Sequence, residues 1–120
     1  MSIGCRLIDA ASGQPVLGFD PMAEGCVLDL ARLPTRNVNI EVLCAGPVGS
    51  LRISCDGLVL SNSRGYELHQ PWLLAGNHLG GAINAWTPRP GRHALLAQPF
   101  AGTDGRSGPG NQWTLNFTVR

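Results

Sequence analysis

Gln112-Trp113-Thr114-Leu115-Asn116-Phe117-Thr118-Val119 alternates polar and apolar side chains without a break. Successive side chains of an extended strand point to opposite faces. Trp113, Leu115, Phe117 and Val119 therefore share one apolar face, and Gln112, Thr114, Asn116 and Thr118 share the other. Such alternation marks a half-buried strand. It assigns Trp113 to the core rather than to a binding surface.

The same period of two recurs upstream in Cys5–Asp9, Cys26–Leu30, Val38–Cys44, Ser50–Cys55, Leu58–Ser61 and His93–Pro99. Turn-forming residues separate these runs. No stretch carries apolar spacing near 3.6 residues with caps; Leu28–Leu33 allows at most a short helical turn, which Pro34 stops. Short strands between turn signals describe an antiparallel sandwich or barrel. The expectation is an all-β sandwich of about seven strands in one domain, residues 1–120. Its variable chemistry falls in the irregular segment from Asn62 to Gly91.

Composition narrows the classes of function. Nine arginines, no lysine and eight acids give a formal net charge of +1, and the cations are scattered singly. Nucleic-acid binding through a cationic stripe is not expected. Apolar runs such as Trp72–Ala75 are too short to span a bilayer, so no membrane partner is expected. Met1-Ser2-Ile3-Gly4-Cys5-Arg6 lacks the charged and apolar regions of a signal peptide. That start suits either a cytosolic protein or a domain excised from a longer chain.

Four cysteines, Cys5, Cys26, Cys44 and Cys55, have no C-x-x-C spacing and no histidine close in sequence, which disfavours zinc. Cys44 and Cys55 share faces with apolar neighbours on either side of Gly46-Pro47-Val48-Gly49, as Cys5 and Cys26 do around Gly13-Gln14-Pro15. Hairpins there would pair Cys5 with Cys26 and Cys44 with Cys55, the favoured connectivity of three. Four buried free thiols acting as small apolar residues suit the same pattern equally well.

Catalytic motifs are missing from the sequence. Gly105-Arg106-Ser107-Gly108-Pro109 approaches a nucleophile elbow, but Pro109 stands where the second Gly is needed. The surrounding glycines suggest a mobile loop. His69, His78 and His93 sit in unrelated segments, and His93, inside an apolar run, is expected as a half-buried strand residue rather than a base. No enzyme and no cofactor are expected. Asp9, Asp20, Asp56 and Asp104 neighbour turns and admit a structural calcium, although acids at turns ordinarily accept local backbone N–H groups.

An ordered set of strings runs along the chain. It includes Leu7-Ile8-Asp9-Ala10, Gly18-Phe19-Asp20-Pro21, Leu33-Pro34-Thr35-Arg36-Asn37-Val38-Asn39-Ile40, Val48-Gly49-Ser50-Leu51-Arg52, Pro71-Trp72-Leu73-Leu74-Ala75-Gly76, Asn84-Ala85-Trp86-Thr87-Pro88 and Gly91-Arg92-His93-Ala94-Leu95. In this order the set resembles an immunoglobulin-like accessory domain of large secreted and cell-surface bacterial proteins. The resemblance implies an immunoglobulin-like antiparallel β-sandwich, extracellular, without catalytic residues, attached to other domains of the same parent chain. Asn77, Ala82 and Ile83 depart from the acidic and Asp-Tyr positions of that pattern.

Modules of this sort that bind sugars stack pyranose faces on exposed aromatic rings, while polar side chains bond the hydroxyls. The expected function is accordingly polysaccharide or cell-surface glycan binding. The expected ligand residues are Trp72 and Tyr66 with Arg64, His69 and Gln70 nearby, and Trp86 besides; Trp86 more readily packs the edge of the sandwich, and Trp72, followed by Leu73-Leu74, could equally fold inward. The alternative is a structural spacer or adhesion unit without a small ligand.

Overall fold

The computed structural model describes residues 2–60, 66–77 and 81–120. Among them the chain forms seven strands and no helix: β1 (Ser2–Asp9), β2 (Cys26–Leu28), β3 (Val38–Ala45), β4 (Ser50–Cys55), β5 (Trp72–Leu73), β6 (Gly91–Phe100) and β7 (Trp113–Val119). They make two sheets, ordered β1-β3-β5 and β2-β7-β6-β4. The pairings are antiparallel except for β2, which runs parallel to β7. Apolar alternation decides which face of each strand is buried. Leu7, Val38, Ile40 and Val42 of one sheet meet Leu51, Ile53, Leu95, Leu115 and Phe117 of the other in a common core. Each large side chain fully removed from water there contributes about 1.5–3 kcal/mol.

Trp113 stands half-buried at the margin of that core, opposite Ala97 on β6. Two strand expectations shift. The run beginning at Leu58 forms only an isolated bridge to Cys55, with Ser61 outside the described residues. Trp72–Leu73, placed by its sequence in an irregular segment, adds to β3 as β5. At the end of β2, one helical turn forms where Leu33 N–H donates to the Asp29 carbonyl at 3.0 Å.

The connection between β3 and β4 overturns one proposed disulfide. Gly46–Gly49 does not close a hairpin; it carries the chain from one sheet to the other, β3 pairing with β1 while β4 pairs with β6. Gly49 makes the crossing possible. Its N–H donates to Phe100 O at 2.9 Å, and a Cβ there would collide with the Ala101 carbonyl. Cys44 lies at the end of β3 near the turn, whereas Cys55 ends β4, five residues beyond Ser50 and roughly 17 Å along the strand at about 3.3 Å per residue. The other pairing is not formed either: Cys5 on β1 and Cys26 on β2 lie near one another but unbonded, and all four cysteines are free thiols. Burial, and then the nearby Cys26, push the Cys5 thiol up to about 12.

The outer edges of β1 and β4 are covered by the chain itself. The segment Gln14–Met22 bonds the outer edge of β1 through Leu7 N–H to Phe19 O, Val16 N–H to Leu7 O and Met22 N–H to Cys5 O. On β4, Leu51 and Glu67 exchange N–H···O bonds of 3.0 and 2.7 Å. The loop between β6 and β7 is pinned rather than loose. Asp104 accepts from the Arg106 and Ser107 N–H groups, Ser50 Oγ accepts from Gly105 N–H, and Arg52 Nε donates to Gly105 O.

Candidate functional site

Cys55 and Asp56, neighbours in the chain, meet the distant His93 at one end of the four-stranded sheet. Cys55-Asp56-Gly57-Leu58 closes on itself, with Cys55 and Leu58 exchanging two backbone bonds of 2.9 Å. Asp56 (φ 53°) and Gly57 (φ 81°) both adopt positive φ. Two such central residues define a type I′ turn, for which Asp-Gly is a favoured pair. The turn directs Asp56 across to β6. Its backbone N–H donates to Ala94 O, and its Oδ1 accepts from Ala94 N–H at 2.8 Å. The carboxylate thus continues the β4–β6 ladder one rung beyond the strand.

His93 enters from β6 on the core-facing side, opposite Phe117 of β7, and its ring stacks on Phe117 at 5.3 Å. Its side chain is 12% exposed. The expectation of a half-buried strand histidine holds. Nε2 lies 2.7 Å from the Arg89 carbonyl, and Nδ1 lies 2.7 Å from Asp56 Oδ2. A carbonyl only accepts, so Nε2 carries a proton and donates it. In the neutral ring Nδ1 would then be an acceptor facing a second acceptor, the carboxylate. A proton or another cation between them is required.

Cys55 completes the cluster from the buried side. Its Sγ lies 3.8 Å from Asp56 Oδ2, toward which its S–H points, and all three ligand atoms fall within 4.8 Å of one another. Burial, followed by the charge of Asp56, pushes the thiol up to about 12. The Ala94 N–H is the main influence holding the Asp56 carboxyl below its ordinary value, with His93 assisting. The imidazole nitrogens are directed at Asp56 and Arg89 rather than at the thiol. Clefts of about 440 and 460 Å³ open on either side of the His93–Asp56 pair.

The expected glycan residues are placed differently from one another. Trp72 is 4% exposed and belongs to the core, so it cannot stack on a sugar in the folded protein. Tyr66 is half-buried, its ring lying against the backbone of Gly105. His69 and Gln70 are exposed, and Arg64 lies outside the described residues, as does His78. Trp86 packs on the core margin beside β3, exchanging backbone bonds with Val38, as its corner sequence implies. It also lines the 460 Å³ cleft with Arg89 and Thr87. Of the turn acids, Asp9 and Asp104 accept neighbouring backbone N–H groups, and Asp20 faces Arg6 at 3.8 Å.

Nothing along the chain joined these residues, since no histidine stands close to a cysteine in sequence. Cys55 was legible as a core-facing thiol, Asp56 as a turn acid and His93 as a strand histidine. The Asp-Gly pair was the available signal for the turn, but the β4–β6 register that unites them is a long-range pairing. Comparison with protein-family models, curated proteins and solved structures finds no match.

Proposed function

We propose that the chain is a non-catalytic, immunoglobulin-like module that serves its parent protein as a spacer or adhesion unit, without a bound saccharide. Strand order supports the immunoglobulin-like part. Strands β1, β3 and β5 oppose β4, β6 and β7, the division expected of strands A, B, E and C, F, G, and β2 adds to the edge of β7. The observation that carries the functional part is the burial of Trp72. With Tyr66 folded onto Gly105, no exposed aromatic pair remains among the described residues expected to hold a sugar.

Edge protection fits the same reading. Exposed strand edges invite pairing between chains, and here the segments around Phe19 and Glu67 occupy the edges of β1 and β4. Covering these two of the four sheet edges limits pairing between copies of the module. Four unbridged cysteines run against an oxidising compartment. The secreted or cell-surface placement implied by the resemblance therefore draws no support from the thiols, and the proposal concerns the mechanical role.

Immobilised polysaccharides test the proposal directly. The protein is expected to pass each column unretarded and to run as a monomer in gel filtration. Retention on any polymer that is lost in Trp86→Ala, with an unchanged circular dichroism spectrum, would replace the spacer with a glycan-binding module centred on the Trp86 cleft.

A further inference from the structure

We infer that Cys55, Asp56 and His93 form a binding site for a single divalent ion of the zinc class. Sγ, Oδ2 and Nδ1 supply one ligand each, and a fourth position opens to the cleft. The three donor types are those zinc accepts, and catalytic or exchangeable zinc sites commonly use three protein ligands plus water. Tetrahedral zinc at the usual bond lengths places its ligand atoms roughly 3.3–3.6 Å apart. Here Sγ and Oδ2 are 3.8 Å apart, and Nδ1 and Oδ2 are 2.7 Å apart. Slight closing of the first pair and opening of the second accommodates the ion.

Two further features distinguish this corner from an ordinary His–Asp pair. The first is the tautomer. Metal-bound histidines commonly donate their remote N–H to a backbone carbonyl or carboxylate, which turns the other nitrogen's lone pair toward the metal. His93 does this through Nε2 and Arg89 O at 2.7 Å, leaving Nδ1 directed at Oδ2. The second is the outer support of the carboxylate. Oδ1 is held by Ala94 N–H at 2.8 Å, so Oδ2 is presented in a fixed direction. Stacking on Phe117 fixes the ring itself.

Binding displaces the Sγ proton and the proton held between Nδ1 and Oδ2, both released to solvent. The ion replaces them as the positive charge that the facing acceptors require. Its consequence is a clip joining the β4 turn to β6. The site does not depend on the spacer reading, and a bound ion would leave that reading intact.

Cobalt(II) is the probe, because a thiolate ligand gives a charge-transfer band in the near ultraviolet and tetrahedral geometry gives intense visible bands. Chelator-treated protein titrated with cobalt is expected to develop both bands to a stoichiometry of one, and zinc to bleach them. Asp56→Asn and His93→Gln should each weaken zinc at least about a hundredfold, beyond the roughly 10–100-fold cost of losing an outer support. Cys55→Ala should abolish the charge-transfer band. Cys26→Ser and Cys44→Ser, at the half-buried thiols outside the cluster, should leave it unchanged. Absence of the bands in the parent protein overturns the inference, as does their survival in Asp56→Asn and His93→Gln proteins that remain folded by circular dichroism. Survival in Cys55→Ala overturns it equally.

Discussion

Asn39 and the His93–Asp56 pair are both polar junctions that tie a strand to a neighbouring segment, yet their chemistry is opposite. Asn39, on β3, is fully buried. Its Nδ2 donates to Gly76 O and Asn84 O at 3.2 and 3.0 Å, and its Oδ1 accepts from Ile40 N–H and Ala75 N–H at 2.8 and 3.0 Å. An amide offers donors at one end and an acceptor at the other, so every demand is met. At the end of β4, by contrast, the two nitrogens of one ring both face acceptors. The closed network belongs to the fold. The network with surplus acceptors is the one that calls for a cation.

The sharpest way to break the comparison is to remove the core on which both junctions stand. Ile40→Asp, beside Asn39, or Leu115→Asp, on the same β7 strand as Phe117, places an unpaired carboxylate in an apolar interior. Neither protein is expected to fold, and a soluble variant with an unchanged melting curve would refute the packing. Next in size is the contrast itself. Asn39→Ala strands two buried N–H groups and the Asn84 carbonyl, leaving Gly76 O only its bond from Asn84 N–H, and should cost about 3 kcal/mol or more in denaturant unfolding. His93→Gln in metal-free protein, at the rim, should cost about 1 kcal/mol or less. Similar losses at the two positions would erase the distinction between a structural and an open junction.

The smallest effect is an acid limb in stability that involves neither junction. Bonds from Ser107 N–H, the Ser107 hydroxyl and Arg106 N–H lower the Asp104 carboxyl from 3.8 to about 2. A depressed folded-state value means that the contribution is present above 3.8 and fades as pH falls toward about 2. Melting temperatures measured across that window should therefore decline less steeply in Asp104→Asn. An identical slope would show that the carboxylate is not held by its turn.

Much of the fold was open to reading along the chain. Alternation in Trp113–Val119 and in Val38–Cys44 marks buried faces because a strand's side-chain period is two, whatever lies beyond it. Ser50–Cys55 appears with the same bounds in the structure. Cys44 and Cys55 show where such reading stops. Both were correctly set on core-facing positions, yet their partners depended on whether Gly46–Gly49 folded back or crossed over. That choice was made by Gly49 packing against Ala101, 52 residues later. Trp72 was left open between surface and core for a related reason: a two-residue strand has too short a pattern to announce itself, and its burial comes with pairing to β3.

By itself the sequence determined the class of architecture, the inward faces of the long strands and the half-buried status of His93, since these follow from local periodicity. Tertiary structure alone decided the sheet to which each strand belongs, the free state of the four thiols and the meeting of Cys55, Asp56 and His93. Those outcomes rest on contacts between residues tens of positions apart, and no local pattern encodes a register between distant strands.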